Sequence, residues 1–264
     1  MEGSNSLTAP RGRPETVFMK MKPLLRVSSV VFVGHLVVGT GVLRAQTQTG
    51  QAGQGQRAAA NDPDRWEATI KKFEDQDKVS PPPQNAIVFI GASSIVRWNL
   101  PESFPELGTH AINRGFGGSL ASDSMRYADR IVIPYKPRTV VFYAGDNDVE
   151  ANHTPEQIAG DFTAFEQKVH AALPATEIIF ISIKPSIRRW PWIDQIKGAN
   201  ALVRQYCASH PHLTFVDIVP QMIGTDGKPR KELLVEDGLH MTPAGYAIWN
   251  DALRPLLRLS RSSQ

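Results

Sequence analysis

Ala86-Ile-Val-Phe-Ile-Gly-Ala-Ser-Ser-Ile-Val-Arg-Trp98 constrains this chain more than any other stretch. Five apolar residues, mostly β-branched or aromatic, read as a strand buried on both faces. The run breaks at Gly91 and passes through two serines into an Ile/Val/Trp segment that can start a helix. A strand, a tight turn and a helix would set the Ser93 N–H at a positive helix end. Such an N–H can hold the oxyanion formed when a hydroxyl attacks a carbonyl. Ser93 is therefore a candidate nucleophile, and the rest of the chain must be searched for a base, an acid and further donors.

Strand-like and helix-like segments alternate downstream. Arg65–Phe73 reads as a helix ahead of the first strand, with Trp66, Ile70 and Phe73 at i, i+4, i+7. Residues 110–113, 139–143, 177–183 and 213–218 read as four more strands. Helices are expected over 119–131, from Thr154-Pro155, over 194–209 and from Thr242-Pro243. Thr154 can cap its helix, with Gln157 reaching back. This alternation predicts a five-stranded parallel sheet with helices on both faces, an α/β/α sandwich. Ligands of such sheets sit beyond the carboxyl ends of the strands.

Three segments fall at such places: Ser93; Asn113-Arg-Gly-Phe-Gly-Gly-Ser119; and Gly145-Asp-Asn-Asp148. A fourth, Asp237-Gly-Leu-His240, follows the fifth strand after a longer excursion, and the topology allows it to join them. Each alone reads as a turn, a cap or a surface pair. Together they fit one task. Serine needs a base within hydrogen-bond reach. His240 can take the Ser93 proton, with Asp237 orienting the imidazole. The Ser93 N–H, a backbone N–H of the Gly117-Gly118 turn and the Asn147 amide can serve as oxyanion donors, whereas ionised Asp146 or Asp148 would repel a developing negative charge.

These segments resemble the four blocks of the SGNH hydrolase superfamily (GDSL-type esterases and lipases), in a bacterial branch, over roughly residues 84–258. The resemblance implies a flavodoxin-like three-layer fold and no cofactor. It also implies Ser93 as nucleophile, Gly118 and Asn147 as oxyanion donors, and Asp237 and His240 completing the triad. The first block departs from Gly-Asp-Ser-Leu, with Ala92 and Ser94 in place of Asp and Leu, which makes Ser94 a rival nucleophile. Ile95 also rules out the Gly-x-Ser-x-Gly elbow. Lys184-Pro-Ser-Ile-Arg-Arg-Trp-Pro-Trp192 follows the fourth strand; Arg189, Trp190 and Trp192 are candidates for substrate binding, or else pack the loop onto the domain. Trp98 and Trp249 are expected in helix packing.

The implied activity is hydrolysis of short acyl esters, acetyl foremost and possible on carbohydrate, with lysophospholipid or thioester cleavage as runner-up. Two other classes remain open: a non-catalytic carbohydrate-binding protein, and a metal-dependent phosphoesterase using Asp146, Asp148, Asp237 and His240. The remaining histidines, His153 among them, show no ligand set in the sequence.

Residues 19–45 read as an export signal. Lys20, Lys22 and Arg26 precede an apolar run, Val27–Leu43, that ends at Leu43-Arg-Ala45. The run is too short and diluted for a membrane span. A start at Met19 or Met21 would make residues 1–18 an over-extended gene start. A periplasmic or secreted protein is expected, with a flexible linker over 46–61 and the domain over 62–264. The formal charge of +3 comes from the leader: residues 46–264 hold 23 basic against 24 acidic side chains, a charge of −1. Composition therefore gives no footprint for nucleic acid. Cys207 is the sole cysteine, which excludes an intrachain disulfide and fits a small buried apolar residue.

Overall fold

In a computed structural model of the chain, residue 62 and residues 64–257 are described. The expected export signal and linker lie outside the described residues. Helix α1 (Glu67–Val79) precedes β1 (Ile87–Gly91). Two single turns, α2 (Ser93–Val96) and α3 (Leu100–Ser103), lead to β2 (Ala111–Gly115). Then come α4 (Ala121–Ile131), β3 (Thr139–Tyr143), α5 (Asp146–Glu150) and α6 (Pro155–Ala172). The chain continues through β4 (Glu177–Ile181), α7 (Ile193–Ala208), β5 (Leu213–Val216), α8 (Val219–Met222) and α9 (Pro243–Leu253). All neighbouring strands are parallel, in the order β2-β1-β3-β4-β5. The order reverses direction at β1, which makes the end of β1 a topological switch point.

Side chains of successive strand residues serve two separate cores, as the two-residue period requires. Val88, Ile90, Val140, Phe142, Ile178 and Phe180 pack under α1, α4, α6 and α7. Phe142 is the hub of that core, with its ring centroid 5.3, 4.8 and 5.7 Å from those of Phe162, Phe165 and Phe180. Ile87, Phe89, Val141, Tyr143, Ile179 and Ile181 pack on the other face against Trp98, Phe104 and Trp249. Trp98 Nε1 donates at 2.9 Å to Asn250 Oδ1 on α9, and the Trp98 and Trp249 rings lie 5.4 and 4.7 Å from those of Phe89 and Tyr143 on the sheet, so both tryptophans join helices to the sheet.

Several boundaries differ from the expected ones, each for a local reason. The first helix runs on to Val79 instead of stopping at Phe73. α4 starts at Ala121 because the Asp123 carboxylate accepts from the Leu120 N–H at 2.8 Å and caps the helix there. β4 ends at Ile181 because the Asn200 side chain pairs with both the N–H and the C=O of Ile183, at 2.8 and 3.0 Å. β5 ends at Val216; beyond it the Ile218 N–H goes to Ser182 Oγ at 3.0 Å. At α6 the expected capping box is present: Gln157 N–H donates to Thr154 Oγ1 at 3.3 Å, and Gln157 Oε1 accepts from the Thr154 N–H at 2.8 Å.

Candidate active site

β1 tolerates no side chain at its last position. Gly91 has φ +135°, and a Cβ there would lie 1.8 Å from the Tyr143 carbonyl oxygen. That oxygen accepts from the Ala92 N–H at 3.0 Å, while the Phe116 N–H donates to the Gly91 carbonyl at 2.9 Å. β1 is thus pinned by β3 and by the loop after β2 just where Ser93 begins α2. Asn113 holds that turn from the other side: its amide N–H donates to the Ile95 carbonyl at 2.7 Å. Tyr246 on α9 donates to the Ser94 carbonyl at 2.9 Å. Ser94 is buried, whereas Ser93 is partly exposed.

Ser93 Oγ lies 2.9 Å from His240 Nε2. His240 Nδ1 lies 2.5 Å from Asp237 Oδ2. With Nδ1–H donating to the carboxylate, Nε2 is left as acceptor for the serine hydroxyl; this tautomer follows from the hydrogen-bond network. Asp237 Oδ1 accepts from the Leu239 and His240 N–H groups at 2.8 and 2.9 Å. Burial works against the charge on Asp237. The hydrogen bonds from His240 and from these two N–H groups outweigh it and hold the carboxyl well below the usual range. Gly238, at φ +65°, lets the chain turn within four residues, and its carbonyl accepts from the Arg188 N–H at 2.9 Å.

The glycine pair runs beside Ser93, and Asn147 is tied to that turn. A Cβ on Gly117 would stand 3.8 Å from Ser93 Cβ, so the turn runs directly past the serine. Gly118 has φ +84° and is flanked by the Trp66 ring, 3.5 Å from where its Cβ would be. Asn147 Nδ2 donates to the Ser119 carbonyl at 3.0 Å, which ties α5 to the glycine turn. Its Oδ1 accepts from Arg189 Nη2 at 3.5 Å. Since an arginine only donates, the amide oxygen is fixed on that side and Nδ2 on the other.

A sequence profile of the GDSL-like Lipase/Acylhydrolase family matches residues 89–248. The chain belongs to this family. The GDSL-type fold and the enzyme class, carboxylic ester hydrolase, follow from that membership. Platelet-activating factor acetylhydrolase IB subunit alpha1 of Homo sapiens is 29% identical over 197 residues, covering 73% of this chain and 83% of the human protein. Among solved structures, a GDSL-like lipase from Bacteroides thetaiotaomicron superposes with a TM-score of 0.62 at 22% identity, over 72% of this chain and 97% of that one. An acetyl-xylooligosaccharide esterase from Geobacillus superposes with a TM-score of 0.54 at 19% identity, over 69% and 99%.

Within this GDSL-type domain, not every candidate residue faces the site. Arg189 was expected at a substrate-facing loop. It is instead 2% exposed: Nε donates to the Asp146 carbonyl at 2.7 Å and both Nη groups go to Glu150. The guanidinium is thus turned inward onto Glu150 and borders Asn147 instead of standing on an open loop surface. Trp192 packs against the core beneath α7, and Trp190 is half-buried under the Lys228 ammonium, 5.2 Å from the ring centroid. Ser94, the rival nucleophile, is turned into the interior. The four residues of the phosphoesterase reading are divided: Asp146 faces Lys184 and Tyr143, and Asp237 faces His240.

Two supports escaped sequence reading. Lys184 is fully buried, with Nζ 2.7 Å from Asp146 Oδ2 and 3.0 Å from the Tyr143 hydroxyl. A lysine directly after an apolar strand, with an acidic Gly-Asp turn after the preceding strand, was the available signal. In the sequence Asn113 reads only as the end of the second strand and the start of the glycine-rich segment after it. A polar residue inside a short strand could have marked it as a staple.

Proposed function

We propose that this chain is an exported serine ester hydrolase that removes short acyl groups, acetyl foremost, from alcohols that include carbohydrate hydroxyls. The observation that carries this reading is the pair of hydrogen bonds linking Asp237, His240 and Ser93 beside the glycine turn and Asn147. Ser93 Oγ attacks the acyl carbonyl as its proton passes to His240 Nε2, and Asp237 stabilises the imidazolium. The N–H groups of Ser93 and Gly118 and the Asn147 amide receive the oxyanion. Collapse expels the alcohol, protonated by His240, and leaves Ser93 acylated. Water, deprotonated by His240, then releases the carboxylic acid and restores the serine.

A small acyl group is supported by the human relative, whose name is that of an acetylhydrolase. The half-buried Trp66 ring, which also carries the Arg65 guanidinium 5.5 Å from its centroid, borders Gly118 and supports an aromatic contact to a sugar. Export to the periplasm or the medium rests on the basic and apolar pattern of residues 19–45. Among the described residues no helix is long and apolar enough to cross a membrane.

The decisive experiment is hydrolysis of p-nitrophenyl acetate and longer acyl esters by the purified protein, beside Ser93→Ala and Ser94→Ala. Wild type should turn over acetate fastest. Ser93→Ala should lose about 10⁶-fold in kcat, as removal of a triad serine does, and Ser94→Ala should keep activity. Equal loss in Ser94→Ala alone would move the nucleophile; a folded wild type inert on every ester would leave a binding protein. N-terminal sequencing of the exported chain, expected to begin at Gln46, checks the signal.

A further inference from the structure

Asp148 follows Asn147 in α5, and no step above uses it. Its side chain is fully buried. Oδ1 accepts from the Ala121 N–H at 3.0 Å, while Oδ2 is enclosed without a partner. Asn152, at φ +65°, folds the chain back after α5, and the His153 N–H donates to the Asp148 carbonyl at 2.9 Å. This return sets His153 Nδ1 at 3.9 Å from Asp148 Oδ1; that nitrogen too is buried and makes no hydrogen bond. Half-buried Asp161, on α6, completes a group. One carboxylate oxygen from each aspartate and one ring nitrogen of His153 lie within 4.8 Å of one another.

Buried acceptors without partners are costly, about 1–3 kcal/mol each and more when charged. Asp146, two residues earlier, meets that cost with Lys184. Among the described residues, neither Asp148 nor Asp161 forms an ion pair with a lysine or arginine. Two carboxylates and an imidazole therefore share a small space with lone pairs turned inward and no cationic side chain to neutralise them.

We propose that Asp148, His153 and Asp161 bind one divalent transition-metal ion of the Zn²⁺ or Mn²⁺ class. Ligand atoms about 2.0–2.2 Å from a tetrahedral zinc stand roughly 3.5 Å apart, so small side-chain shifts close the observed spacing around an ion. The imidazole nitrogen selects against Ca²⁺ and Mg²⁺, which take oxygen ligands. The three ligands come from α5, the turn after it and α6, and Asp148 also holds the first N–H of α4. An ion here would brace the segment carrying Asn147 against the helix that follows the glycine turn. It is a structural site, separate from the Ser93 chemistry.

The test is calorimetric titration of the chelator-stripped full chain with ZnCl₂ and MnCl₂, with CaCl₂ and MgCl₂ alongside, and thermal unfolding of each mixture. One zinc or manganese ion per chain and a rise in Tm are expected. Asp161→Asn and His153→Gln, both outside the tightest packing, should each weaken binding by roughly 10-fold or more and shrink the Tm gain. A wild type that binds neither ion, or binding that survives both substitutions, overturns the assignment. Neither readout requires ester hydrolysis, so a failed hydrolase reading and a failed metal site give different results.

Discussion

Asp237 and Arg189 show how single side chains act on the proposed reaction without touching substrate. Asp237 keeps His240 in the tautomer that leaves Nε2 free for Ser93. Asp237→Asn can donate to the ring and stabilise the wrong tautomer, so kcat should fall by about 10⁴-fold, measured on p-nitrophenyl acetate. Folding linkage gives a second readout. A carboxyl held below its ordinary value contributes stability that is complete above about pH 4 and is lost as pH falls through its folded value. The stability gap between wild type and Asp237→Asn should therefore be constant near neutrality and narrow below about pH 4, as followed by urea unfolding. A gap that widens with acid would contradict the sign of the shift.

At the scale of elements, the proposed oxyanion wall is a splice of three loops. Asn147 on α5 is joined to the glycine turn through the Ser119 carbonyl, and to the loop after β4 through Arg189. Arg189 in turn joins the Asp146 carbonyl to the Glu150 carboxylate, the two ends of α5. Arg189→Lys keeps the charge and loses the fork. We expect kcat to drop about 10-fold or more with KM little changed, short of the 10²–10³-fold that removal of a whole donor costs. Steady-state kinetics separate the two constants. If kcat is unchanged, the Ser119 carbonyl alone orients the amide. The same splice explains what sequence reading could and could not extract. Ser93, Asn147 and His240 are singled out by reactive residue types just after strands or just ahead of the last helix, a local signal. The inward course of Arg189 depends on where Glu150 and Asp146 stand, 39 and 43 positions away. An arginine beside two tryptophans looks like a surface patch until those partners are in place.

For the molecule as a whole, the parallel sheet was readable because strands buried on both faces leave unbroken apolar runs. β1 and β3 were legible almost residue for residue. Helix and strand ends were less so, because Asp123, Asn200 and Ser182 set them through side-chain bonds that periodicity does not register. The cluster of Asp148, His153 and Asp161 escaped for a related reason: its members come from α5, the turn after it and the second turn of α6, and no fixed spacing announces them. The aromatic core around Phe142 is a global feature. Phe142→Ala should cost about 3–5 kcal/mol, seen in the denaturant midpoint, with the Ser93–His240 geometry and hence kcat preserved in the folded fraction. A cost below about 1 kcal/mol would mean that the surrounding rings close over the gap.

The serine and its base are 147 positions apart, and the base stands on the last loop before α9. A growing chain emerges from its amino terminus, and domains assemble as units once enough chain is available. The proposed nucleophile is thus made early and has no proton acceptor until the loop ahead of α9 has been made and has folded against it. Chains that stop short of that loop lack the proposed base and should be inert toward esters. For an enzyme exported as proposed, that arrangement would confine ester cleavage to the compartment where the folded chain comes to rest.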